Sequence, residues 1–171
     1  MKKKSAAKKA PAKRAVKKVP AIPKGYHAVT PYLSLRDATH AIAFYAKAFG
    51  GKLTVKMDMP GGKIGHAEMK IGDSMVMLAD EMEEMDFMSP QSRGGTTVTL
   101  HLYVKDVDAT VAKAVGAGAK LIRPVKDQFY GDRAGQVEDP FGHRWYVATH
   151  KEELTPAQIK KRMAEEMKTA A

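Results

Sequence analysis

The chain has 171 residues, 44% of them apolar, enough to bury one core and too few for two ordinary independent domains. No run approaches the about eighteen apolar residues of a membrane span, and the lysine-rich start lacks the apolar stretch of a secretory leader. With no cysteine there is neither a disulfide framework nor a thiolate zinc site, which fits a cytoplasmic protein.

The formal charge of +10 is local. Residues 1–24, "MKKKSAAKKAPAKRAVKKVPAIPK", hold ten of the 29 basic residues and no acid; the remaining 19 balance the 19 acids, so the rest of the chain is formally neutral. A Lys/Ala/Pro segment of this kind has too little apolar surface to offset the entropy of ordering it, and is expected to be a disordered tail. Two roles stay open for it: a solvated extension, or a non-specific, salt-dependent contact with nucleic acid or another polyanion. No aromatic residue is interleaved to stack on bases.

From Gly25 onward the chain contains an internal repeat. "YLSLRDATHAIAFYAKAFGGKL" (32–53) recurs as "HLYVKDVDATVAKAVGAGAKL" (101–121) at an offset of 68 to 69, and "IGDSMVML" pairs with "FGHRWYVA" at 70. In the first copy, about 25–80, alternating "VTPYLSL" predicts a strand and Asp37 a helix cap. The helix that follows has Ala38, Ile42, Tyr45 and Phe49 on one face and stops at Gly50-Gly51. Strands are expected at about 52–58, 64–71 and 74–79. An acidic, Met-rich linker follows at 80–95; the eight methionines between Met57 and Met88 read as adaptable packing or a dimer face.

In the second copy, about 96–150, "VTLHLYV" predicts the strand and Asp106 the cap. The helix carries Val107, Val111 and Val115, and strands follow at about 119–123, 133–138 and 144–149. Asp139 to His143 form the last turn, Glu138 matches Glu68 at the offset of 70, and His150 to Glu153 are placed beyond the final strand. "TPAQIKKRMAEEMK" opens a terminal helix at 155–171 with a Thr155/Gln158 capping box. That helix aligns Ile159, Met163 and Met167 for docking on the core or a partner.

A duplicated βαβββ unit with an "EDPFGHRW" hairpin resembles the vicinal oxygen chelate superfamily, which includes glyoxalase I, bleomycin resistance proteins and extradiol dioxygenases. "TPYLSLRDATHAIAFYAKAFGGKL", "GHAEMKIGDSMVMLADE" and "GDRAGQVEDPFGHRWYVATHKEELT" are similar to its PhnB-like glyoxalase group, over about residues 25–154. The resemblance implies an α+β fold, two βαβββ modules forming an eight-stranded, partly open, barrel-like cup around a small-molecule pocket, often in a homodimer. In metal-dependent relatives, His, Gln or Glu ligands come from the first and last strand of each module. Here those positions fall on Thr30, Thr99, Tyr146, and Val76 or Met77, which do not make the shell a divalent metal needs.

Period-2 alternation then predicts a cup face of Thr30, Tyr32, Ser34, Thr99, His101, Tyr103, Arg144, Tyr146 and Ala148, with Leu33, Leu35, Trp145 and Val147 in the core. His101 is the candidate general base; its other reading is an imidazole hydrogen-bonded to a neighbouring hydroxyl. His66 and Glu68 share one strand face and, with His101, make the fallback set for a displaced metal. Three functions stay open: a metal-free small-molecule binding protein, an enzyme using His101 with or without a metal, and a fold tethered to nucleic acid through residues 1–24.

Overall fold

The computed structural model describes residues 19–169. Most of the basic tail, with its expected disorder and polyanion contact, lies outside the described residues.

The first module runs β1 (Tyr32–Leu35), α1 (Ala38–Phe49), β2 (Lys52–Asp58), β3 (Ile64–Ile71) and β4 (Ser74–Asp80). A linker with a short helix, α2 (Pro90–Arg93), leads to the second module: β5 (Thr99–Tyr103), α3 (Val107–Gly116), β6 (Lys120–Asp127), β7 (Asp132–Glu138) and β8 (Arg144–His150). A final helix, α4 (Pro156–Thr169), follows. Each module is a four-stranded sheet, ordered β1-β4-β3-β2 and β5-β8-β7-β6. The first strand is parallel to the last and the other pairs are antiparallel. Among the described residues the eight strands stay open, with no closed barrel.

Local chemistry sets these boundaries. The Asp37 carboxylate accepts the His40 N–H at 3.0 Å and the Asp106 carboxylate accepts the Ala109 N–H at 2.9 Å, so each helix starts on its capping acid. At the end of α1, Gly50 takes φ 67°, a left-handed stop that suits glycine. Strand β1 begins at Tyr32, later than the alternation suggested, because Pro31 has no N–H to pair. Strand β6 tolerates Pro124 because it is an edge.

Helices α1 and α3 pack against each other, and one core joins both modules: Leu35, Tyr45, Met69 and Leu78 from the first, Val107, Val137, Trp145 and Val147 from the second. The aromatic rings of Tyr45 and Phe49 lie against Trp145, with centroids at 5.4 and 4.7 Å. Buried Asp139 sits at this seam. Its carboxylate accepts the Tyr45 hydroxyl (2.7 Å), the Trp145 indole N–H (2.9 Å) and the backbone N–H groups of Phe141 (3.0 Å) and His143 (2.9 Å). Buried Asp80 has a similar role in the first module, accepting the N–H of Ala38 at 2.8 Å and of Ile64 at 2.6 Å.

The linker is folded onto the first module. Glu81 accepts the Ser89 N–H at 3.0 Å and the Ser92 hydroxyl at 2.8 Å, and the Ser34 hydroxyl donates to the Phe87 carbonyl at 3.0 Å. The capping box of α4 forms as expected, with the Thr155 N–H donating to Gln158 at 2.8 Å. The core does not receive this helix: none of its described residues is buried, and ion pairs Arg162–Glu152 and Lys126–Glu166 hold it. Its Met163 and Met167 are exposed.

Two substitutions test the seam, read by the fluorescence of Trp145, the chain's one tryptophan, during denaturant unfolding. Tyr45→Phe leaves Asp139 with three donors and lowers stability by about 1–2 kcal/mol. Asp139→Ala strands four buried donors and costs more, about 3 kcal/mol or above.

Candidate functional site

With the helices covering one face of each sheet, the opposite faces carry the predicted site residues. Pairing register fixes their neighbours. In the first sheet Tyr32 lies beside Met77, and Met77 beside Glu68. His66 is two residues from Glu68 and therefore on the same face. In the second sheet His101 lies beside Tyr146, and Tyr146 beside Gln136. The two modules thus align Tyr32 with His101, Met77 with Tyr146, and Glu68 with Gln136. The match of Glu68 to Glu138 is corrected: the β7–β8 turn is longer than the β3–β4 turn, which shifts the register, and Glu138 instead pairs with Arg144 at 3.2 Å.

The first face holds a hydrogen-bonded chain. The Tyr32 hydroxyl lies 3.0 Å from His66 Nδ1, and His66 Nε2 lies 3.2 Å from Glu68. The Tyr26 hydroxyl, from the segment ahead of β1, is the main influence holding the Glu68 carboxyl below its usual range; His66 adds to it. Burial pushes the Tyr32 phenol up. Thr30 precedes β1, donates to the His27 carbonyl at 3.2 Å and shares a cleft with Tyr26, Glu68 and Met77. Ser34 is buried under the linker.

The second face is aromatic. The His101 ring stacks on Tyr103 at 4.6 Å and meets Tyr146 edge-on at 5.1 Å. The expected hydroxyl partner does not satisfy it: among the described residues the imidazole is held by ring contacts. The Tyr146 hydroxyl bonds to that of Tyr130 at 2.7 Å, and the Tyr103 hydroxyl donates to buried Asp132 at 3.0 Å. Burial and the Tyr146 hydroxyl push the Tyr130 phenol well up. Thr99 and Arg144 are neighbours at the exposed start of β5 and β8.

His150 was placed beyond the last strand; it is the final residue of β8, opposite Asp132, with Nδ1 2.7 Å from that carboxylate and Nε2 3.2 Å from Glu153. Continuing the alternation from Tyr146 through Ala148 would have found it. Tyr130 lies in the β6–β7 turn and Asp132 at the start of β7, and no local signal tied them to Tyr146 or Tyr103.

The four family metal positions carry hydroxyls and a thioether: Thr30, Thr99, Met77 and Tyr146. Two of the hydroxyls are already engaged, by His27 and Tyr130. That donor set does not fit a divalent cation. The fallback set is not brought together either: His66 and Glu68 meet on the first sheet, His101 lies on the second, and no group of three His, Cys, Asp or Glu that could hold a metal occurs among the described residues.

Residues 27–147 match the family model of the Glyoxalase/Bleomycin resistance protein/Dioxygenase superfamily. The chain belongs to that superfamily. It is 41% identical over 140 residues to Uncharacterized protein Rv0887c of Mycobacterium tuberculosis, covering 80% of this chain and 82% of that protein. It is 31% identical over 124 residues to Uncharacterized protein At5g48480 of Arabidopsis thaliana, covering 67% and 73%. Among solved structures, that Arabidopsis gene product superposes with a TM-score of 0.56 at 28% identity, over 70% of this chain and 93% of that one. A Bacillus cereus PhnB protein, described as a putative 3-demethylubiquinone-9 3-methyltransferase, gives 0.57 at 16% identity, over 72% and 99%, a likeness of fold alone. Among the described residues of this superfamily member, no helix is long and apolar enough to cross a membrane.

His150 gives the site a pH dependence. Asp132 first, then Glu153, raise its pKa above the usual 6.5. The stability this charge contributes is therefore present below 6.5 and lost as pH rises through the raised value. In an NMR titration the His150 midpoint lies above 6.5 in the native protein, and Asp132→Asn moves it down while flattening the loss of stability as pH rises above 6.5.

Proposed function

We propose that the chain binds a small, flat organic molecule on the open face of the second module, without a resident metal, and acts as a cytoplasmic homodimer. The observation that carries this reading is the platform of His101, Tyr103 and Tyr146. Three rings stand in contact and are fixed from behind by Asp132 and Tyr130, while their outer surfaces stay open. A planar ligand gains stacking area there at little entropic cost, because the rings are already ordered. Gln136 at the floor and Arg144 and Thr99 at the rim supply polar and charged groups for orientation.

A second copy is supported by the apolar side chains exposed along the edge strand β2. Leu53 is 45% exposed, Met57 59%, and Met59, just past the end of the strand, 44%. An apolar edge of this kind fits a partner surface and leaves Tyr32 and the His101 platform uncovered.

An enzymatic reading is favoured by one feature: the His101 imidazole is not committed to a described hydrogen-bond partner, so it could take a proton from a bound ligand. Screening small aromatic acids and ketones by thermal shift identifies a binder. His101→Ala then weakens that binder about fivefold to tenfold with native unfolding temperature retained, since one ring contact is worth about 1 kcal/mol. Equal affinity in the variant overturns the assigned platform; a His101→Gln variant that binds but has lost turnover of the same compound favours the enzyme.

The homodimer is checked by light scattering on a sizing column. The native chain elutes at twice the protomer mass, and Met57→Glu shifts it toward the monomer. A native monomer at micromolar concentration overturns this part.

A further inference from the structure

The hydrogen bonds of the first face have a defined direction. A carboxylate only accepts, so His66 Nε2 carries the hydrogen shared with Glu68 at 3.2 Å, which leaves Nδ1, 3.0 Å from the Tyr32 hydroxyl, as the nitrogen available to take a proton from it. The proton order is phenol to imidazole to carboxylate. The same order makes a weakly acidic hydroxyl reactive wherever a base and an orienting carboxylate are lined up behind it.

The chain is sheltered and held from three elements. The His66 and Glu68 side chains are only 24% and 17% exposed, while Tyr32 is 44% exposed and so accessible at its outer end. Tyr26 lines a cleft with Glu68, and the Tyr32 ring is held by Phe87 at a centroid distance of 5.0 Å. Tyr32 also forms part of the wall of a cleft of about 600 Å³ between β1 and the linker, with Phe87, Val98, Leu100, Arg93 and His143. The lining is mainly apolar. Burial raises the Tyr32 phenol, so at neutral pH the hydroxyl keeps its proton and needs the imidazole to remove it.

We propose that Tyr32 is the nucleophile of a Tyr32–His66–Glu68 acyl-transfer site for small apolar esters entering this cleft. The Tyr32 oxygen forms a bond to the ester carbonyl carbon as its proton passes to His66 Nδ1, and Glu68 stabilises the imidazolium. The ester C–O bond breaks, and the leaving alkoxide takes the proton from His66. Water then attacks the acyl-tyrosine, giving one proton to His66, and the departing phenolate recovers it; the products are the carboxylic acid and the alcohol. No oxidant, metal or cofactor enters. The site is on the other sheet from the His101 platform and uses none of its residues, so it stands or falls apart from the function proposed above.

The test uses the full chain with p-nitrophenyl acetate near pH 7, read by release of nitrophenolate and by peptide mapping. The acetyl group is found on Tyr32 as a hydroxylamine-sensitive ester, which separates it from amides on surface lysines. Tyr32→Phe abolishes that ester. His66→Gln, which keeps a hydrogen bond but cannot take up a proton, slows acylation of Tyr32 by about a hundredfold. Added imidazole partly restores acetylation of Tyr32 in His66→Ala without raising that of exposed Tyr103, a selectivity that a purely structural role for the ring would not give. Glu68→Gln gives an intermediate loss. Unfolding temperatures of the variants confirm that each is folded. Acetylation of Tyr32 no faster than of Tyr103, or a rate unchanged in His66→Gln, overturns the proposal.

Discussion

A buried carboxylate must be surrounded by donors or it destabilises the fold around it, and Asp139 meets that demand with groups from both modules. Two of its donors are backbone N–H groups of its own turn, which fix the β7–β8 reversal; the indole of Trp145 comes from the strand that follows. The fourth, the Tyr45 hydroxyl, comes from α1 of the other module. This one contact ties α1 of the first module to the β7–β8 turn of the second. The core that joins Phe49, Phe141 and Trp145 is built around it. Because the helix-bearing faces are joined in one core, the opposite faces are left to carry chemistry.

The two faces began from one pattern and differ at each aligned position. Tyr32, Met77 and Glu68 stand where the second module has His101, Tyr146 and Gln136. On the first face the histidine stands on the third strand of the module, as His66, where its two nitrogens meet a phenol and a carboxylate. On the second face it remains on the first strand, between two aromatic rings. The same imidazole therefore meets hydrogen-bonding partners in one setting and aromatic rings in the other, and the difference comes from which strand presents it.

Most of the fold was legible because it is written in local signals. Capping aspartates, the Gly50 stop and period-2 strands gave boundaries within a residue or two for most elements, with β1 shorter and β6 longer than the alternation suggested. The site was legible only along strands. Alternation placed Leu33, Leu35, Trp145 and Val147 in the core and His101, Tyr103 and Tyr146 on the other side. Contacts between strands were not legible: a register shift hid the equivalence of Glu68 and Gln136, and Tyr130 and Asp132 are brought in by a turn between β6 and β7. Ser34 has the right parity for an open face, yet the linker covers it, because Glu81 and Ser89 fold that segment back onto the sheet.

That folded linker explains why the two modules differ in accessibility as well as in residues. Phe87 packs on Tyr32, and Ser34 donates to the Phe87 carbonyl, so one end of the first face is roofed and a cleft forms beneath. At the corresponding end of the second module, Tyr103, which aligns with Ser34, remains exposed. A partly roofed face favours proton transfer along a fixed chain; an open one suits a ligand held by ring contact and set in place by the polar groups at its edge. The duplicated unit supplies two equal sheets, and the segment that joins them, present once, makes them unequal.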